Sequence, residues 1–318
     1  MKGSGLSIVV TGGAGFIGSH LCEALLKEGN KVVCVDNFVT GRKENVQPFL
    51  AEKNFSLVEH DITLPLKLDE SIDQVYNLAS PASPADFAKM PLQILLVNSV
   101  GTKNMLELAV EKNARFLQAS TSEVYGDPLQ HPQRETYFGN VNSIGQRSCY
   151  DEGKRFAEAL VMAYSRKLDL QTRIARIFNT YGRRMRHDDG RAVPAFIKAA
   201  LQNKPITVFG SGKQTRSFCY VSDLVQGLVK LMNSGYGLPV NLGNPDEITV
   251  MRLAKVIKKI SGSASKIVFS KKMQDDPCRR KPDITIAKRL LHWQPSTSLG
   301  NGLLQTIEWS KTGVANEI

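Results

Sequence analysis

Five consecutive elements near the N-terminus restrict the fold more than any other part of the chain. LSIVVT, residues 6–11, is a short apolar run rich in β-branched residues and predicts a buried strand. GGAGFIG follows at once and puts Gly12, Gly15 and Gly18, with Phe16 and Ile17 between the last two, at the turn into a helix. The spacing predicts that helix over roughly Ser19 to Glu28, with Leu21, Ala24 and Leu25 facing inward and Gly29 ending it. KVVCVD then predicts a second buried strand that finishes on Asp36. This order of elements lays a dinucleotide pyrophosphate on a helix N-terminus and hydrogen-bonds a ribose hydroxyl to the acid. A carboxylate at Asp36 repels a 2′-phosphate and favours NAD over NADP, with Asn37 beside it in the same cofactor set. Arg42 would accept such a phosphate, so the sequence leaves NADP open.

The rest of the chain alternates helix and strand without repeats or a low-complexity linker. The pattern predicts a helix around Glu44 to Glu52 and the strands FSLVEHDI and QVYNLA. The first places Asp61 and Ile62 at the border of an adenine site, and the second carries Leu78 and Ala79 into the cofactor set. A long helix is expected over about Leu92 to Lys112, then the strand RFLQAS, a helix ending near Lys167 and the strand RIARIF. Such alternation means a Rossmann-type, doubly wound parallel sheet of the α/β class, with right-handed crossovers. Beyond Asn179 the elements become shorter and more mixed. The reading is a Rossmann domain over 1–178, rejoined by 213–243, and a smaller C-terminal substrate-binding lobe from 179–212 and 244–318.

The chemistry rests on Tyr150 and Lys154 in YDEGK, together with Thr121, Ser122 and Glu123 further upstream. One helical turn separates the tyrosine from the lysine, so both lie on one face. A free phenol has a pKa near 10, and each unit of depression needs about 1.4 kcal/mol. A neighbouring ammonium, helped by a cationic nicotinamide ring, would supply several such units and make Tyr150 a general base. Tyrosine and lysine at this spacing arise often by chance. The glycine turn gives the pair its meaning.

Composition bounds the alternatives. At 318 residues and 42% hydrophobic the chain can bury a large core. It has no run long and apolar enough to span a membrane and no signal-peptide pattern, so a cytoplasmic protein is expected. Cys22, Cys34, Cys149, Cys219 and Cys278 are scattered and lack a CxxC pair, which suits reduced thiols and gives no zinc site. His20, His60, His131, His187 and His292 are equally scattered, so no metal is expected. The net charge of +11 gathers at 183–191, 255–259, 270–272 and 279–281 without a nucleic-acid recognition module. That excess fits a site for a doubly charged diphosphate plus solvated lysines, not nucleic acid.

Over essentially its whole length the chain resembles the extended short-chain dehydrogenase/reductase superfamily and, within it, the UDP-glucuronic acid decarboxylases. The segments that carry the likeness are TGGAGFIGSH, NLASPASP, ASTSEVYGDP, SCYDEGKR, ARIFNTYG, QTRSFCYVSDL, VNLGNP, DDPCRRKPDI and LHWQP. The glycine turn and the Tyr/Lys pair identify only the superfamily. SEVYG, with Glu123, and RRKPDI, with Arg280, are more specific. The resemblance implies that Tyr150 removes the proton of the sugar 4-hydroxyl while hydride passes to NAD. Lys154 would hold the ribose and lower the phenol's pKa, and Thr121 would bond the same oxygen. It further implies that Ser122, Glu123 and Arg280 serve carboxylate loss and reprotonation, and that Asn179, Arg191, Arg216 and Tyr220 line a UDP-sugar pocket. A 4-epimerase, a 4,6-dehydratase or a decarboxylase releasing a 4-keto pentose would use the same scaffold, and a regulatory cofactor binder without turnover is the reading from another class. The family carries proline where this chain has Ser143, Gln146 and Arg183, beside the Tyr150 helix and the substrate loop. A homodimer is expected too, paired through the helices at 92–112 and 150–167, with Leu95, Leu106, Leu160 and Val161 as surplus apolar residues.

Overall fold

The structure is a computed structural model that describes residues 5–271 and 279–314. Cys278 lies outside these residues. The chain opens with β1 (Ser7–Thr11), α1 (Phe16–Lys27), β2 (Lys31–Asp36), β3 (Phe55–Glu59) and β4 (Gln74–Asn77). It continues with α2 (Pro84–Phe87), α3 (Pro91–Leu96), α4 (Thr102–Glu111), β5 (Arg115–Thr121), α5 (Ser148–Leu168) and β6 (Thr172–Ile177). Then come β7 (Thr180–Tyr181), α6 (Ala192–Leu201), β8 (Ile206–Phe209), β9 (Thr215–Ser217), β10 (Cys219–Tyr220), α7 (Val221–Met232) and β11 (Pro239–Leu242). The last elements are β12 (Glu247–Thr249), α8 (Val250–Ser261), β13 (Ile267–Ser270), β14 (Arg279–Arg280), α9 (Thr285–Leu291) and α10 (Leu299–Val314).

Seven strands form one sheet in the order β11-β6-β5-β4-β1-β2-β3. Every neighbouring pair in it is parallel. Its central strands read as near-continuous Val, Ile and Leu because helices cover both faces, and Val9, Val33, Val75, Phe116 and Ile174 are fully buried. The strand order reverses between β1 and β4. A crevice opens outside the carboxyl ends of the strands at such a switch point, where α/β sheets place their ligands. Beyond β6 the strands pair into separate small sheets, β10-β7, β12-β9-β14 and β13-β8, while β11 returns to the edge of the large one. Trp293, buried after α9, donates its indole N–H to the Asp223 carbonyl on α7 at 2.9 Å. Its removal would cost about 3–5 kcal/mol.

Two helices differ from their sequence expectation. The stretch 44–52 forms two 3-10 turns, Lys43–Asn45 and Gln47–Phe49, with Pro48 lacking an N–H and the Asn45 side chain tying the first turn to the Ala14 carbonyl at 2.8 Å. The helix at 92–112 has a π-turn over Val97–Gly101 between α3 and α4. There Asn98 donates both to its own Ile94 carbonyl and to Ser80 Oγ, at 2.8 and 3.0 Å, which ties the bulge to the loop after β4. Of the four apolar residues expected on the outer helical face, Leu106 and Val161 are buried against the chain's own sheet. The exposed apolar residues of that face are Leu92, Leu95, Leu96, Val100, Val110, Phe156 and Leu168.

Candidate active site

The first wall of the crevice is the glycine turn. Gly12 sits at φ +65°, and a Cβ there would meet the Ala79 backbone at 2.9 Å; one on Gly18 would lie 2.1 Å from the Gly12 carbonyl. The turn therefore packs directly against β4 and α1, and no side chain fits between them. The helix begins at Gly15 without a side-chain cap and without an acid in its first turn, so its free N–H groups suit an anion. At the end of β2 the two Asp36 oxygens accept from the Ala14 and Phe38 N–H groups, each at 2.9 Å. Burial pushes the Asp36 carboxyl up, and those backbone bonds pull against it. Gly12, Gly15, Phe16, Ile17, Gly18, Asp36, Asn37, Asp61, Ile62, Leu78 and Ala79 all line one cavity of about 590 Å³. Arg42 does not line it; its guanidinium lies 3.9 Å from Asp188. Uncapped helix, glycine cradle and strand-end acid together fit a dinucleotide.

The opposite wall carries Thr121, Ser122, Glu123, Tyr150 and Lys154, brought together because β5 ends beside the first turns of α5. The Thr121 side chain faces the Tyr150 hydroxyl and favours its ionised form. Burial nevertheless pushes the phenol up to about 12. Lys154 lies 5.7 Å from the Tyr150 ring centre and donates to the Ala119 carbonyl at 2.9 Å, while burial pushes its ammonium down to about 7. Among the protein's own groups burial outweighs the rest and keeps the phenol protonated. The expected depression of the phenol needs both Lys154 and a cationic nicotinamide ring, as the sequence reading has it.

Glu123 is held from two sides. Arg280, on β14 and almost fully buried, donates from Nη1 to Glu123 Oε1 at 2.7 Å and to Ser122 Oγ at 3.0 Å. Arg147, just before α5, donates from Nη2 to the other oxygen, Oε2, at 2.6 Å. Burial works to raise the Glu123 carboxyl, but Arg280 and then Arg147 outweigh it and hold it at about 2. It is a fixed carboxylate, a hydrogen-bond acceptor only.

The third side is built from segments beyond β6. Asn179, Arg191 and Arg216 line the cavity, and the Asn179 amide nitrogen is buried with no hydrogen-bond partner among the described residues. Arg191 is held by Asp189 through contacts of 2.5 and 2.8 Å. Tyr220 falls outside the lining, with its hydroxyl against Gln305 at 3.1 Å. The loop that bears Arg191 is pinned across the crevice, Arg184 to Glu23 at 2.7 Å and Arg186 to Asp86 at 2.8 Å.

A family model described as the NAD dependent epimerase/dehydratase family matches residues 8–243. The chain belongs to that family. Within it, UDP-glucuronic acid decarboxylase 2 of Arabidopsis thaliana is 56% identical over 95% of this chain and 68% of its own length. UDP-glucuronic acid decarboxylase 1 of Xenopus tropicalis is 54% identical over 95% of this chain and 71% of its own. Among solved structures, the UDP-glucuronic acid 4-epimerase of Bacillus cereus, in complex with UDP-glucuronic acid and NAD, superposes with a TM-score of 0.87. It is 32% identical, covering 96% of this chain and 99% of that one. As a member of the epimerase/dehydratase family the chain is NAD-dependent, which agrees with the donor set at Gly15 and Asp36.

Sequence reasoning missed Arg147, Asp151 and Phe87. Arg147 stands one turn before Tyr150 and four residues before Asp151, so helix spacing alone would have put the arginine beside both. Nothing local marks Phe87, which stacks on the Tyr150 ring at 5.0 Å only because α2 folds back over α5.

Proposed function

We propose that this chain converts UDP-glucuronate to UDP-xylose. The observation that carries the reading is the relatedness to UDP-glucuronic acid decarboxylases over 95% of the chain. The site chemistry is consistent with it. NAD, when bound on the glycine turn and Asp36, supplies a reversible acceptor for the hydride of the sugar C4. Tyr150 takes the 4-hydroxyl proton and later gives it back, Thr121 holds the same oxygen, and Lys154 holds the ribose. A C4 ketone makes the sugar a β-keto acid, so the C5–C6 bond breaks, carbon dioxide leaves and the electron pair enters an enolate. A water molecule oriented by Glu123, which is ionised between its arginines, gives C5 its proton and leaves as hydroxide that solvent neutralises, while Ser122 and Arg280 fix Glu123. Asn179, Arg191 and Arg216 hold the nucleotide sugar, and the segments after β6 act as a smaller substrate lobe.

A 4-epimerase is the second reading, favoured by the similarity to the Bacillus cereus enzyme. Purified protein incubated with UDP-glucuronate and NAD decides between them by product mass. Release of carbon dioxide and a UDP-pentose is expected; a UDP-hexuronate of unchanged mass would overturn the decarboxylase reading. A mass matching a UDP-4-keto-pentose with NADH accumulating would mean that the hydride is not returned.

We also place the protein in the cytoplasm as a homodimer. No helix among the described residues is long and apolar enough to cross a membrane. The exposed apolar residues on α3, α4 and α5, with Leu92 at 69% and Phe156 at 52% exposure, form a face that a second copy would cover. Light scattering should give a particle of twice 35.1 kDa, and Phe156→Glu should halve it. A wild-type monomer at micromolar concentration would rule the dimer out.

A further inference from the structure

Glu123 meets Arg280 on one oxygen and Arg147 on the other. Arg280 is doubly anchored, to Ser122 Oγ and to the Gly126 carbonyl, both at 3.0 Å. Arg147 is held differently. Its guanidinium lies over the Phe87 ring at 5.5 Å, and that ring stacks in turn on Tyr150, at 5.0 Å with an interplanar angle of 18°. Behind it, Nε faces Asp151 Oδ2 at 3.8 Å, while Asp151 Oδ1 is buried with no hydrogen-bond partner among the described residues. Arg147, Glu123, Tyr150 and Phe87 line the same cavity; Asp151 does not. The groups facing Glu123 are therefore Arg280 on β14, Arg147 ahead of α5, Tyr150 and Asp151 within α5, and Arg191 ahead of α6.

We infer that Arg147 is a positioning residue for decarboxylation, fixing the Glu123 carboxylate toward the reacting sugar from a platform that the base Tyr150 shares through Phe87. The inference rests on the decarboxylase reading above. A single guanidinium leaves one Glu123 oxygen free to rotate, whereas two on opposite oxygens fix the plane of the carboxylate. The shared platform couples that plane to the tyrosine, so the proton acceptor and the carboxylate keep one mutual geometry when substrate enters.

The test is a pH series of carbon dioxide release on wild type, Arg147→Ala, Arg147→Lys, Glu123→Gln and the double variant, with NAD binding measured on each. Arg147→Ala should lose about 10- to 100-fold, the scale of one hydrogen bond to a charged group. It should also show an acid limb moved upward by about 1 to 3 pH units, because one of the two cations beside Glu123 is gone. Arg147→Lys should restore part of the rate and move the limb back. In the Glu123→Gln background, Arg147→Ala should cost less than about twofold, since the residue acts through Glu123. An unmoved acid limb in Arg147→Ala, or its full loss repeated in the Glu123→Gln background, would overturn the inference. Wild type that binds NAD but releases no carbon dioxide would instead sink the decarboxylase reading itself.

Discussion

Charged side chains are treated differently on the two sides of Arg191. Up to that residue acids and bases nearly balance, and most of the +11 surplus falls after it. The first region spends its charges on directed pairs: Arg176 with Glu158 at 2.7 Å, Arg147 and Arg280 with Glu123, Arg184 with Glu23, Arg186 with Asp86. Lys204, Lys213, Arg252, Lys255, Lys259, Lys266 and Lys271 in the later region are exposed, and no carboxylate lies within salt-bridge distance of them among the described residues. Arg280, in the later region, is buried and paired because its partner Glu123 lies in the first region. Paired charges in a low-dielectric crevice fix geometry, whereas unpaired ones in water shape only the field around the mouth. Substitutions in the two regions should therefore differ in kind as well as in size.

The largest loss should come from the paired region at the base itself. Tyr150→Phe removes the phenol that Thr121 faces and should lower turnover by about 10² to 10⁴ while NAD still binds. Turnover within a few-fold of wild type would move the base elsewhere. Next in size is Arg280→Ala, which leaves Glu123 with one cation and Ser122 without its donor at 3.0 Å. Because a half-broken buried pair costs about 3–5 kcal/mol, carbon dioxide release should fall far more than NAD affinity. Wild-type decarboxylation by this variant would remove Arg280 from the chemistry.

Asp151 tests whether the paired region also carries a cost. Its carboxyl is pushed up to about 7, first by burial and then by the Glu123 charge. Folded, it binds its proton more tightly than the unfolded chain does, with a reference value of 3.8. Its contribution to stability is thus complete below about pH 4 and lost as pH rises through about 7. Asp151→Asn should therefore gain stability over wild type at pH 8 and little at pH 4, by about 1–3 kcal/mol for one poorly satisfied buried group. Urea unfolding at the two pH values measures it. An equal difference at both would show that Asp151 is not a buried acid of raised pKa.

How much of this was legible in the sequence follows the same division. The glycine turn, Asp36 and the strands up to β6 could be read because each signal is local: apolar periodicity, a stop residue, a strand-end acid. The long helix could be read as one element, but not its π-turn, which depends on Asn98 reaching Ser80 across the chain. Arg280 was named only through the family resemblance, since nothing local in RRKPDI says that β14 brings it to Glu123. Arg42 and Tyr220 illustrate the converse. Their segments border the cavity, and their side chains turn elsewhere, to Asp188 and Gln305. Chain position predicts nearness to a site better than it predicts side-chain direction.

The smallest effect belongs to the unpaired region. Lys213 and Arg252 flank Gln214 and Val250, which line the cavity, and the two segments are joined by the Met251 N–H to the Gly212 carbonyl at 3.1 Å. Both cations are exposed and touch nothing in the site, so they act on an incoming anion only through the field at the mouth. UDP-glucuronate brings a diphosphate and a carboxylate into that field. Charge reversal at both positions, Lys213→Glu with Arg252→Glu, should raise KM for it by a few-fold at low salt, with kcat unchanged. The difference should shrink as ionic strength rises, because the screening length falls to about 10 Å at 0.1 M and about 3 Å at 1 M. A KM change that persists at high salt would mean that these residues contact the substrate, and the contrast between the two regions would fail at the rim of the site.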